Sequence, residues 1–123
     1  MLLESLYVIV DHSSLANDRV HYSITIDPSN DIFKGHFPGF PVTPGVVEIE
    51  IVKELVEHHI NQKIGISKIS NCKFMNLLNP EETSSFKVMI ELISLEPAIA
   101  VVAEIYDSTR KYLSIKANFE LRS

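Results

Sequence analysis

Between Gly35 and Gly45 the chain reads Gly-His-Phe-Pro-Gly-Phe-Pro-Val-Thr-Pro-Gly. Three prolines and three glycines in eleven residues fix so many backbone angles that a loop of defined shape is expected. His36 is the only ionisable side chain in it. An imidazole titrates near neutral pH and can take or give a proton. A helix beginning directly after the loop would offer unpaired N–H groups to a developing oxyanion. Glu48 and Glu50 follow within the first two turns and could supply a partner acid. A rigid loop presenting one histidine ahead of a helix N-terminus is a plausible catalytic arrangement. Read from spacing alone, the same stretch is equally a tight connection carrying a satisfied histidine.

The elements needed to hold these groups are visible as changes of period. Leu2 to Val10 is apolar and rich in strand formers, so a first strand is expected there. Asn17-Asp18 supplies turn chemistry. From Arg19 to Ile26, Val20, Tyr22, Ile24 and Ile26 alternate with His21, Ser23 and Thr25, a half-buried strand. Residues 46–60 switch to helical spacing: Val47, Ile51 and Leu55 share a side, widened by Ile49, Val52, Val56 and Ile60. Glu50, Lys53, Glu54 and Glu57 collect opposite, while Glu48 falls inside the apolar arc. With Gly45 as the cap, Glu48 reads as a capping carboxylate at the third helical position or else as a site residue. Further strands are expected over Ile64–Phe74, around Phe86–Leu92, over Ala98–Tyr106 as a run buried on both faces, and over Tyr112–Leu121. Turns at Asn79–Glu82 and Asp107–Arg110 separate them. One helix among about six strands joined by hairpin-length connections implies an α+β domain with an antiparallel sheet wrapped round the helix.

Composition bounds the rest. At 123 residues and 46% hydrophobic, the chain is expected to form one domain, residues 1–123, with little room for a deep pocket inside one subunit. If the chain handles a substrate, a site between subunits is expected. A net charge of −5 disfavours a broad nucleic-acid surface. Cys72 is the single cysteine, which excludes a disulfide framework and a Cys-rich metal site. His58-His59 at the helix end suits the dipole, and no third ligand stands at metal spacing, so neither a metal nor a cofactor is expected. His12 and His21 read as exposed strand residues, and Glu81-Glu82 as a solvated turn. The N-terminus lacks a basic region ahead of its apolar stretch, and no apolar run is long enough for a membrane span, so a cytoplasmic location is expected.

The segment GHFPGFPVTPGVVEIE closely resembles the active-site motif of the 3-hydroxyacyl-acyl-carrier-protein dehydratases of the FabZ/FabA type. The matching positions are His36, Pro41, Val42, Pro44, Gly45 and Glu50, the last fourteen residues beyond the histidine. The resemblance implies a hot-dog fold, one long central helix wrapped by a curved antiparallel sheet. It implies dehydration of a 3-hydroxyacyl thioester, on acyl carrier protein or coenzyme A, to the trans-2-enoyl thioester and water in fatty-acid or polyene synthesis. Carried over by position, His36 is the catalytic base, its ring oriented by the Val42 carbonyl. Gly45 donates its N–H to the thioester carbonyl, and Glu50 is the acid at the leaving hydroxyl. The resemblance further implies a homodimer, or a larger assembly of dimers, in which one site draws on two subunits.

Two departures stand out. Where the family usually continues Ala-Met-Ala-Gln after its acid, this chain has Ile51-Val52-Lys53-Glu54, so a second carboxylate lies one turn from Glu50. The family's N-terminal helix and arm are also missing, which leaves the substrate entrance and substrate choice open. Lys34, Lys68 and Lys73 are candidates for a local basic patch toward an acidic carrier. Two other functions remain compatible with the residues: a hot-dog thioesterase, and a catalytically silent acyl-binding or scaffold subunit.

Overall fold

A computed structural model describes residues 5–15, 18–33 and 42–122. The strand β1 spans Tyr7–Leu15 and β2 spans Arg19–Ile26; a single 3-10 turn, Asp31–Phe33, follows. The helix α1 spans Gly45–Ile60, and β3 (Ile64–Phe74), β4 (Ser85–Ser94), β5 (Ile99–Tyr106) and β6 (Lys111–Leu121) complete the order. The six strands form one antiparallel sheet in the order β1-β2-β4-β5-β6-β3. This is the α+β architecture that the hot-dog resemblance implies, with α1 laid on the inner face of a curved sheet.

The alternation read from the sequence decides which face is inner. Val20, Tyr22, Ile24 and Ile26 of β2 are buried, with Phe86, Val88 and Ile90 of β4 beside them. Against that face α1 sets Val47, Ile51, Val52, Leu55 and Val56. At about 25 cal/mol per Å² of apolar surface removed from water, this layer dominates the stability of the domain.

Three expectations are corrected. The first strand runs on from Val10 to Leu15, because Asp11 to Ser14 still find partners along β2 (Asp11 with Ser23, Ser14 with Val20). Local apolarity did not mark that half. Residues 2–4 lie outside the described residues. The run Ala98–Tyr106 is not buried on both faces: Ile99, Val101, Ala103 and Ile105 are buried, while Ala100, Val102, Glu104 and Tyr106 are half-buried. Its outer face carries apolar side chains without a covering layer. His21 is half-buried rather than exposed, with Tyr106 Oη 3.0 Å from its Nδ1.

The expected turns form through their Asx side chains. Asn79 Oδ1 accepts from Glu81 N–H at 2.9 Å. Asp107 Oδ1 accepts from Thr109 and Arg110 N–H, both at 2.8 Å, and Asp107 Oδ2 accepts from the Tyr112 hydroxyl. The Tyr112 bond and the backbone bonds hold the Asp107 carboxyl well below its ordinary range. Among the described residues no helix is long and apolar enough to cross a membrane.

Candidate active site

Of the sequence-derived site residues, His36 and Pro41 lie outside the described residues, as does Lys34. Val42, Gly45, Glu48 and Glu50 can be placed. Val42 and Thr43 enter the structure buried, at 6% and 2% exposure. Thr43 N–H donates to the carbonyl of Leu78 at 2.9 Å, and Leu78 is itself fully buried. This bond anchors the chain just before the helix. Nothing in the local sequence linked Thr43 to Leu78.

Pro44, not Gly45, is the N-cap of α1, in extended backbone and without a side-chain cap. Its carbonyl accepts from the N–H groups of Val47 and Glu48 at 3.0 and 3.2 Å. No described residue accepts from the N–H of Gly45 or Val46, at the positive end of the helix dipole. The ring of Phe74, at the end of β3, stands directly over Gly45. A Cβ built on Gly45 would come within 2.8 Å of its Cζ. Glycine at this position is what permits the ring to lie there. The Phe74 side chain is nevertheless about half exposed, so little packs behind it.

The capping reading of Glu48 is overturned. It is the fourth helical residue, and a proline cap has no N–H for a capping box to bond. Glu48 is instead buried at 3% exposure, and its Oε1 has no hydrogen-bond partner among the described residues. Burial without a counter-charge disfavours the carboxylate and pushes the acid up to about 8. The half-buried Cys72 of β3 is close enough that its thiol is pushed up by burial and then by the charge of Glu48.

Glu50 is on another side of the helix. It is half-buried and ion-paired with Lys53, Nζ to Oε2 3.0 Å, outside hydrogen-bond angles. Glu54 has a different partner: the Tyr7 hydroxyl donates to its Oε1 at 2.9 Å. Burial raises the Glu54 carboxyl, the Tyr7 bond opposes that, and Glu50 adds to it. The unexpected carboxylate one turn beyond Glu50 therefore ties α1 to β1, and Lys53 serves Glu50. Farther along, Glu57 Oε2 accepts from Ile64 N–H at 2.9 Å, and His58 Nδ1 lies 2.8 Å from Tyr22 Oη. His58 is thus a structural tie to β2, with His12 packed edge-on against it. Among the described residues no cluster of three or more His, Cys, Asp or Glu has metal-site geometry.

Comparison with known proteins bears on this arrangement. The model of the ApeI-like family, described as ApeI dehydratase, matches residues 12–96. The 3-hydroxyacyl-[acyl-carrier-protein] dehydratase FabZ of Rickettsia massiliae is 31% identical over 94 residues, covering 60% of this chain and 63% of that protein. The FabZ of Wolbachia pipientis is 34% identical over 73 residues, covering 51% and 49%. The chain thus spans about half to three-fifths of the length of these curated relatives. In fold it is similar to the dehydratase heterocomplex ApeI:P from Xenorhabdus doucetiae, with a TM-score of 0.73 at 21% identity over 94% of this chain and 97% of that one. A putative thioesterase from Lactococcus lactis shares the fold at a TM-score of 0.69 and 12% identity, covering 100% and 98%. With the family model spanning well over half its residues, the chain belongs to the ApeI-like dehydratase family.

Proposed function

We propose that this protein is a 3-hydroxyacyl-thioester dehydratase acting on a substrate carried by acyl carrier protein or coenzyme A. Family membership supports the reaction class. The observation that supports the reading at the level of chemistry is the start of α1 at Gly45, which has no side-chain cap and whose Gly45 and Val46 N–H groups no described residue accepts from.

Removing the C2 proton of a thioester generates enolate character, which is too costly unless the carbonyl oxygen is stabilised. The Gly45 N–H and the helix dipole meet that need. His36 takes the proton, its tautomer set by the Val42 carbonyl. Hydroxide leaves poorly, so an acid must protonate the 3-hydroxyl, and Glu50 holds the position that the motif assigns to it. On an ideal helix, Gly45 and Glu50 point about 140° apart. One chain cannot aim both at one substrate, which supports a dimer whose sites each take Gly45 and His36 from one subunit and Glu50 from the other. β3 is an edge strand carrying exposed Ile66, Ile69 and Phe74, the last over the helix start, and it is the natural surface for that pairing. Lys68 and Lys73 are exposed on the same strand and suit an acidic carrier, against the overall charge of −5.

The test incubates the purified protein with 3-hydroxybutyryl thioesters of carrier protein and of pantetheine, following enoyl formation. Dehydration lost in His36→Ala is the expected result; dehydration that survives the substitution overturns the mechanism. Release of free thiol instead would assign a thioesterase, and acyl binding without turnover would assign a scaffold subunit.

A further inference from the structure

Ion pairs differ in how much water reaches them. In the pairs Arg19–Glu91 and Lys111–Glu104 the cations are 45% and 56% exposed, so solvent screens them. The pair Lys53–Glu50 on α1 is drier: its side chains are 17% and 26% exposed, with Nζ 3.0 Å from Oε2. A lysine usually carries its ammonium out to water on a flexible stem. Holding it down on the helix removes rotamer freedom and hydration. A dry ion pair is poor evidence of stabilisation, since apolar residues can fill the same space as well. What such a pair does is fix the direction of its carboxylate.

Glu50, Lys53, Glu54 and Glu57 stand at i, i+3, i+4 and i+7, so they share one stripe of the helix. Glu50 and Glu54 are like charges one turn apart, and the charge of Lys53 reaches Glu54 as well. The neighbouring strands settle the competition. From β1, the Tyr7 hydroxyl donates to Glu54 Oε1 at 2.9 Å. Burial and then this bond push the tyrosine well above its usual range, so it stays a donor. From β3, the Ile64 N–H donates to Glu57 Oε2 at 2.9 Å. Glu54 Oε2 is buried with no partner among the described residues, so Lys53 is not shared with it. The ammonium goes to Glu50 Oε2, acting by charge rather than by a directed hydrogen bond, and Oε1 has no partner among the described residues.

We propose that Lys53 is a positioning residue for the dehydration: its ammonium holds Glu50 by Oε2 and leaves Oε1 to meet the 3-hydroxyl. The proposal rests on the dehydratase reading above, with Glu50 as the acid. Glu50 gives its proton to the 3-hydroxyl oxygen, which leaves as water with the C3–O bonding pair. The carboxylate left behind forms beside the ammonium, so the contact strengthens as the bond breaks. The same contact accounts for the departure from the family pattern at 53 and 54. A glutamine at 54 can accept from Tyr7 with its amide oxygen and donate with its NH2 one turn back to the acid. Glu54 keeps the bond to Tyr7 but, ionised, has no proton to donate. In this chain the donor to the acid has moved by one residue, from 54 to Lys53.

The test follows dehydration of a 3-hydroxybutyryl thioester by variants whose fold is checked by circular dichroism. Lys53→Ala should lower kcat about tenfold while KM moves less than about twofold, since the contact counts most in the transition state. Lys53→Arg keeps a cation at the position and should stay within about threefold of wild type. Lys53→Ala combined with Glu54→Gln should regain most of the lost kcat, because the amide restores a donor and the like charge is gone. A lysine that merely supports the helix would show neither the kcat-against-KM split nor that recovery. A folded Lys53→Ala protein with wild-type kcat, or a double variant no faster than Lys53→Ala alone, overturns the role of Lys53 and leaves the dehydratase reading standing. A wild-type protein that dehydrates no 3-hydroxyacyl thioester, or a Glu50→Gln protein with full turnover, overturns the reading itself and the role of Lys53 with it.

Discussion

The two ends of α1 treat their polar groups in opposite ways. In its second half, Glu54 is bonded by Tyr7 through Oε1, although its Oε2 is buried without a partner among the described residues, Glu57 is bonded by the Ile64 N–H, and His58 meets Tyr22. The helix closes on Asn61 in the left-handed conformation. At the first turn, among the described residues, Thr43 Oγ1 and Glu48 Oε1 are buried without partners, nothing accepts from the Gly45 and Val46 N–H groups, and no side chain caps the end. The C-terminal half spends its polar side chains on tying the helix to β1, β2 and β3. Among the described residues the N-terminal turn leaves these groups desolvated and unengaged, which suits the site proposed above. Charge count alone does not separate the two ends, since both carry glutamates; burial and partners do.

The sharpest way to break the comparison is at the loop. His36→Ala should reduce dehydration by at least about 10³-fold, and a thioester-to-enoyl assay with intact far-ultraviolet circular dichroism checks it. Next comes the pH dependence of stability. The folded Glu48 titrates near 8, above the 4.5 of an ordinary carboxyl. The acid form is thus favoured by folding, and stability is full below about pH 4.5 and falls as pH rises toward 8. Glu48→Gln should be more stable than wild type by an amount that grows over that range, up to about 4 kcal/mol. Denaturant melts at pH 5 and pH 8 measure it, and equal gains at both would contradict a buried acid.

A smaller effect is expected at Gly45. Gly45→Ala would push the Phe74 ring aside, because the new Cβ meets its Cζ at 2.8 Å. Stability should change by about 1 kcal/mol or less, since the ring is half exposed and alanine favours the helix. Turnover should fall about tenfold through the displaced ring, and Gly45→Ala with Phe74→Ala should recover part of it. Smallest of all, Tyr22→Phe should cost about 1 kcal/mol through the lost contact with His58 and leave turnover unchanged. A large loss of activity there would show that the C-terminal half of α1 is not merely structural.

Much of this was legible in the chain itself. The alternation of Val20 to Ile26 placed β2, and the switch to helical spacing after Gly45 placed α1, because period reports which face is buried. The second half of β1 was not legible, since Asp11 to Ser14 have little strand propensity and are held by β2. The sequence brought Glu48 and Glu50 forward together as candidate acids, and motif position favoured Glu50. It did not show that Glu48 is without a partner, because that depends on what β3 and β4 place opposite it.

Read alone, the sequence determined the helix and the family, since these follow from residue types at short range. Only the tertiary structure decided the state of the carboxylates. Proline as the cap removed the N–H that a capping role for Glu48 needed. Burial beside Cys72 of β3 left Glu48 dry. Lys53 and Tyr7 engaged Glu50 and Glu54. Desolvation and pairing are properties of neighbours distant in sequence, and they are what turn one glutamate into a neutral acid and leave another in an ion pair.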